Sequence, residues 1–302
     1  MVGSNYDLIY RDIVVQILEH GNDSGDRTGV GTKSMFGLQY TLNLQCERIN
    51  TDLICHNFPL LTSKRIYWRG VLYELLWMLS GDTDIRYLLN NKVNIWNDDA
   101  YRNYRELDDQ NTLTKSEFID LINRNVEFAN KYADLGKIYG YQWRKKRIDQ
   151  IATLIENIKH NPNSRRLIVN SWSVDDIHGM ALPPCHNQFQ CYVNDGRLSL
   201  HLYQRSCDVG LGLPFNTPSY VMLMMILAQL TDTVPDKLIH TFGDIHIYNN
   251  HIDGLTKQIS VDYYEPPSLK LGEVKHIDNI NVNNISIMNY KSNTSVALKM
   301  NT

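Results

Sequence analysis

Apolar residues recur at helical spacing in several stretches of the chain and alternate with polar ones in others. Tyr6, Ile9, Ile13, Val14, Ile17 and Leu18 share one face at a period near 3.6, which predicts a helix over residues 6–20, stopped by Gly21 and Asn22. Trp68, Val71, Leu72, Leu75, Leu76 and Leu79 predict a second helix over 65–79, and Ile148, Ile151, Leu154, Ile155 and Ile158 a third over 148–160. Residues 218–231 contain Val-Met-Leu-Met-Met-Ile-Leu-Ala, apolar on every face, so a central buried helix with Pro218 in its first turn is predicted. Leu198, Leu200 and Leu202 alternate with Ser199, His201 and Tyr203, the period of a half-buried strand over 197–205. Residues 165–173, 187–194 and 237–247 read as further strands, residues 249–259 as a helix, and an extended segment runs to Leu44. Asn194-Asp195-Gly196 carries the Asp-Gly signal of a tight hairpin. Residues 103–134 are polar with few apolar anchors and read as an insertion. With no repeat, low-complexity run or linker, the expectation is one α/β domain over 1–302, a mixed sheet packed by helices.

A chain of 302 residues, 43% of them hydrophobic, can bury a sizeable core. The net charge of −3 argues against general nucleic-acid binding, whose footprint is a basic excess. The five cysteines are odd in number and lack paired metal-ligand spacing. Reduced thiols in a cytoplasmic compartment, with no metal, are the expectation. The first residues show no apolar signal region, and no run reaches the roughly 18 apolar residues of a membrane span.

Chemistry gathers between Pro183 and Asn216. Cys185 follows two prolines, which restrict the backbone, and is the best nucleophile candidate; the other four cysteines read as buried and inert. If 187–194 and 197–205 pair as a hairpin, Arg205 comes near it, and a thiolate needs such a neighbour. His186 suits positioning a water or substrate oxygen, or is simply a satisfied polar residue. Arg165 and Arg166 suit bidentate phosphate binding or solvated surface equally well. Asn216 has the donor and acceptor that match one edge of uracil, but by itself reads as a turn residue. Glu74 lies among the apolar positions of the second helix, so it must be paired, protonated or facing a cleft; a salt bridge and an acid/base role are both open. The loop from Asp26 to Thr32, with Gly29 and Gly31 among Arg27, Thr28 and Thr32, suits an anion.

Further segments join these: Arg27-Thr28-Gly29, Phe58 to Arg65, Glu74 to Trp77, Gly81 to Thr83, Ile95-Trp96, Tyr139 to Arg144, Ser164 to Arg166, Leu182 to His186, Tyr203 to Asp208, Gly212 to Asn216 and Gly243 to His251. In this order the set resembles the folate-dependent thymidylate synthase family, collinearly over about 6–270. The resemblance implies an α/β homodimer formed through the sheet, deoxyuridine monophosphate (dUMP) as substrate and 5,10-methylenetetrahydrofolate as one-carbon donor. It implies that Cys185 adds to uracil C6 and makes C5 nucleophilic. Arg27, Arg205 and Ser206 would hold the phosphate, joined by Arg165 and Arg166 of the other subunit. His246 and Tyr248 would meet the deoxyribose hydroxyl, and Gln204 and Asn216 the uracil. Glu74, Tyr139 and His186 would share a proton-transfer network. Asp208 would bond the folate ring, Ile95, Trp96, Leu182, Leu211, Gly212 and Phe215 would wall it, and Lys64 would meet its glutamate tail.

From about residue 272 the likeness weakens, and the last residues, Val296-Ala297-Leu298-Lys299-Met300-Asn301-Thr302, are more polar than the family's apolar tail. Water exclusion decides whether hydride or water captures the one-carbon unit. A dUMP hydroxymethylase therefore stands as the alternative to a methylating enzyme.

Overall fold

The computed structural model describes residues 5–26, 28–107, 112–294 and 296–301. Helix α1 (Tyr6–His20) starts where the Asn5 side chain accepts the Asp7 N–H and ends at Gly21. Strands β1 (Asn22–Ser24), β2 (Thr32–Phe36), β3 (Gln39–Asn43), β4 (Cys46–Ile49) and β5 (Asp52–Cys55) follow. The loop after β5 is tied to α1 by the buried Asp7 carboxylate, which accepts the N–H and hydroxyl of Thr62 and the N–H of Ser63. Helix α2 (Trp68–Leu79) begins three residues later than its pattern predicts.

Next come α3 (Arg86–Asn90), α4 (Asn97–Leu107), α5 (Lys115–Arg124) and α6 (Val126–Tyr132). The polar 103–134 region is thus largely helical around its own aromatic cluster. Tyr104 meets Phe118 at 4.9 Å and Tyr132 at 5.0 Å between ring centroids, and Phe128 meets Tyr132 at 4.8 Å. Four aromatic rings concentrate enough apolar area to anchor it despite a sparse apolar pattern.

After α7 (Gln150–His160), the strand expected over 165–173 is only β6 (Ile168–Asn170). Strands β7 (His186–Asn194) and β8 (Arg197–Asp208) form the expected hairpin, with Asn194 opposite Arg197 and positive φ at Asp195 and Gly196. Helix α8 (Leu213–Thr231) starts one turn before the expected point: Pro214, not Pro218, occupies its first turn, and Pro218 lies inside. Asn216 is therefore a helical residue, not a turn residue. Strand β9 (Val234–Tyr248), α9 (Ile252–Gln258), β10 (Ser268–Leu271) and β11 (Ile285–Met288) complete the order.

The large sheet runs β1-β2-β9-β8-β7-β6, with β3 also on β9; among the described residues only β8 and β9 pair in parallel. The smaller sheet is β11-β10-β5-β4. Helices α1 and α8 pack on the large sheet. Gln188, Gln190 and Tyr192 of β7, His201 of β8 and Phe36 of β2 point away from that core and are exposed.

Candidate active site

A β-bulge at the start of β7 sets the position of Cys185. His186 opposes Gln204, but Gln188 opposes Tyr203, so Asn187 is an extra residue. Bulges re-aim the neighbouring side chains. Arg205, opposite this point on β8, staples the turn: its Nε donates to the Pro184 carbonyl (2.9 Å) and its Nη2 to that of Pro183 (2.8 Å). Each bond from a charged donor contributes roughly 1.5–3 kcal/mol. The same Nη2 stands 3.8 Å from Cys185 Sγ, and the guanidinium lies 5.6 Å from the Trp172 ring centre. Gly243 allows this crowding, because a Cβ there would come 2.7 Å from the Arg205 carbonyl oxygen. Cys185 is half-buried; burial pushes its thiol up, Arg205 opposes this, and Asp99 adds to the rise. Burial thus favours the thiol form, while the Arg205 cation favours the thiolate.

The Tyr139 hydroxyl accepts the N–H of Cys185 (2.8 Å) and of His186 (3.2 Å), holding the backbone of both residues. Burial lowers His186 to about 4, partly offset by Asn216, so its imidazole is neutral at physiological pH. Glu74 makes its hydrogen bond to Trp96, whose Nε1–H donates to Oε1 at 2.8 Å. Burial raises this carboxyl to about 7 despite that bond. Among the described residues Glu74 forms no salt bridge, and its carboxyl is held by the Trp96 hydrogen bond instead.

Gln204 continues the buried face of β8 after Leu198, Leu200 and Leu202, so its amide must be satisfied internally. Its Nε2 donates to Asn216 Oδ1 (3.0 Å) and to the Ser206 carbonyl (2.9 Å). Its Oε1 therefore accepts from His240 Nε2 (2.9 Å), and His240 Nδ1 accepts from the Tyr40 hydroxyl (3.1 Å). Thr217 bonds Tyr40 and Tyr6, each at 2.8 Å. One proton direction satisfies the whole chain, and it leaves the Asn216 NH2 on the side away from Gln204. His240, Tyr40 and Thr217 escape a sequence reading of the site. The available signal is His240 between Leu238 and Phe242 on the buried phase of β9.

At the end of β8, Asp208 Oδ1 accepts the Gly210 N–H (2.7 Å), and Lys64 Nζ donates to the Gly210 carbonyl (2.6 Å). Lys64 is buried and turned inward, and burial lowers it to about 8, with Asp208 opposing. Ile95, Leu182, Leu211, Gly212 and Phe215 are partly exposed, while Trp96 is buried. His246 Nδ1 faces Asp244 Oδ1 at 2.7 Å and its ring meets Tyr248 edge-on at 5.2 Å. Ser206 sits beside Arg205, opposite Asp244 on β9.

Arg27 lies outside the described residues. In the loop around it, the Asp26 carboxylate already takes the N–H groups of Thr28 and Gly31, and the Gly29 N–H goes to the Asp26 carbonyl. These loop N–H groups are therefore used within the loop. Arg165 and Arg166 are exposed and precede β6. The Leu167 carbonyl accepts the Cys191 N–H, so the doublet lies level with the far half of β7. At about 3.3 Å per residue, that is roughly 20 Å from Cys185 of the same chain. Within one chain the fold does not bring them to the thiol.

A thiol 3.8 Å from a fixed arginine is an arrangement suited to an enzyme of the covalent-nucleophile class. The profile of the family described as thymidylate synthase matches residues 8–302. The chain is 45% identical over 284 residues to a protein named thymidylate synthase from Aster yellows witches'-broom phytoplasma, covering 93% of this chain and 95% of the relative. It is 42% identical over 293 residues to one from Mycoplasma mobile, covering 96% and 98%. It is 44% identical over 291 residues to one from Listeria monocytogenes, covering 87% and 90%. This chain belongs to the thymidylate synthase family. The hydroxymethylase alternative finds no support among these relatives, all of which carry the synthase name. Among the described residues, no helix is long and apolar enough to cross a membrane, and no group of three or more His, Cys, Asp or Glu could hold a metal ion.

Proposed function

We propose that this chain methylates dUMP to thymidine monophosphate in the cytoplasm, with 5,10-methylenetetrahydrofolate as co-substrate. The observation that carries the reading is Cys185 Sγ 3.8 Å from Arg205, within a family match spanning residues 8–302. Addition of the sulfur to uracil C6 loads electron density onto C5 and O4. Asn216 presents its NH2 toward O4, and Glu74 at about 7 exchanges protons with the ring through water. The Nδ1–H of His246 donates to Asp244, so Nε2 offers a lone pair to a deoxyribose hydroxyl, with Tyr248 beside it. Arg205 and Ser206, joined by Arg27, meet the phosphate. The folate supplies the one-carbon unit and the hydride. Asp208 accepts from its ring N–H groups, and Ile95, Trp96, Leu182, Leu211, Gly212 and Phe215 enclose it. With Lys64 pinned to Gly210, contact with the glutamate tail requires that bond to open.

The test is product analysis after incubation with dUMP and methylenetetrahydrofolate. Dihydrofolate and a methylated nucleotide in equal amounts are expected. Tetrahydrofolate with a hydroxymethylated nucleotide would refute methylation.

Two observations favour a homodimer: the exposed outer face of the large sheet and the distance of Arg165 and Arg166 from their own Cys185. The doublet then completes the phosphate grip of the opposite subunit. Arg165→Glu and Cys185→Ala homodimers are each expected to be nearly inactive. Mixed equally and reassociated, they should regain about a quarter of the wild-type rate, because half the dimers then hold one intact site of two. No recovery in verified mixed dimers would refute the shared site.

A further inference from the structure

The strap formed by residues 296–301 docks beside Asp208, and its anchors are residues outside the machinery above. Leu298 lies against Gly210 and Gly254, where an added Cβ would come 3.1 and 2.6 Å from its methyl carbons. His251 Nε2 donates to the Lys299 carbonyl at 2.7 Å. Asn250 and Asn301 exchange a reciprocal amide pair at 2.9 and 3.1 Å. The other nitrogen of His251, Nδ1, is buried and points at Asp208 Oδ1 from 3.7 Å, and among the described residues it has no hydrogen-bond partner.

This arrangement has a physical consequence. The strap carbonyl needs a hydrogen on Nε2, so a neutral ring turns its Nδ1 lone pair toward a carboxylate. Only the imidazolium satisfies both neighbours at once. The strap therefore fixes the ring, and the ring shares Asp208 Oδ1 with the Gly210 N–H (2.7 Å) in orienting the carboxylate. We propose that His251 is a positioning residue that couples the docked strap, through the Lys299 carbonyl, to the direction of the Asp208 carboxylate and so to folate binding. This rests on the reading that Asp208 bonds the folate ring.

The charged and ring groups facing His251 are Asp208 from β8, Lys64 from the loop before α2 and the edge of Tyr248, 5.6 Å away at the end of β9. Burial and Lys64 lower the imidazole, but Asp208 and the strap carbonyl outweigh them and its affinity for the proton is raised. The coupling is thus fully present below the ordinary imidazole value of about 6.5 and is lost as pH rises through the raised value.

The experiment measures KM for methylenetetrahydrofolate, kcat and dUMP affinity across pH. The proteins are wild type, Asn301→Ala, a chain stopped after Leu298, His251→Gln and Asp208→Asn. Asn301→Ala and the shortened chain should raise the folate KM about three- to tenfold, with dUMP affinity and melting temperature unchanged. Wild-type folate KM should rise with pH through the His251 range. His251→Gln keeps a donor to the strap but cannot titrate, so its profile should be flat. If Asp208→Asn raises the folate KM while both strap variants leave it alone, the coupling is wrong. Equal losses in dUMP affinity and folate KM would mark the strap as merely structural and overturn the proposal. An unchanged folate KM in Asp208→Asn would overturn the Asp208 reading itself, and the coupling with it. Should His251→Gln not fold, the two strap variants decide alone.

Discussion

Cys185→Ala should lower kcat on the order of 10⁴-fold or more while dUMP still binds. The reason is the division of labour at the start of β7. Without the sulfur no covalent adduct forms, and C5 of uracil has no route to becoming nucleophilic; removal of an attacking group costs this much in other enzymes. The nucleotide contacts proposed for Arg205, Ser206, Asn216 and His246 sit on β8, α8 and β9 and do not depend on the thiol. The Arg205 staple is anchored to the carbonyls of Pro183 and Pro184, so the turn should keep its shape in the variant. Calorimetric titration with dUMP, alongside single-turnover kinetics, checks both halves. Substantial turnover in the alanine variant would sink the covalent mechanism.

Glu74→Gln is expected to lower kcat by about 10²–10⁴-fold, the range for a positioned acid/base group. The sign of its pH dependence follows from burial. The carboxyl is raised to about 7, so near neutrality both of its forms are populated. Removing the C5 proton requires the carboxylate, and the rate should fall as pH drops through about 7. In the glutamine variant this limb should vanish, leaving only the higher titration of the buried thiol. Glutamine still accepts the Trp96 Nε1–H, which keeps the fold out of the comparison. A pH–rate profile in which the limb survives the substitution would assign it to another group.

The aperiodic parts of the chain were the hardest to read. The β7–β8 hairpin was legible because Asp195-Gly196 is chemically suited to positive φ. The start of α8 was not, because Pro214 and Pro218 both satisfy the rule for a first-turn proline and only the packing of Leu213 and Thr217 chooses between them. The helices of 103–134 were missed for a related reason. Their anchors are Tyr104, Phe118, Phe128 and Tyr132, too widely spaced to show a periodic stripe until they meet as a cluster. Glu74 stood out among apolar neighbours, but whether its partner was a cation or the Trp96 N–H depended on a contact 22 positions away.

The sequence alone points to a mixed α/β chain and to Cys185, Arg205, Asn216 and Glu74 as its candidate chemistry. Hydrophobic period records which face of a segment is buried, and side-chain type limits what each residue can do. Direction and reach were decided only in three dimensions. The orientation of the Asn216 amide is set by a chain of bonds ending at Tyr6, 211 positions from its Thr217 partner, and the docking of the strap by His251, 48 positions from Lys299. The separation of Arg165 and Arg166 from their own thiol follows from strand register. Such partners are joined by folding rather than by spacing along the chain, so no local pattern could have named them.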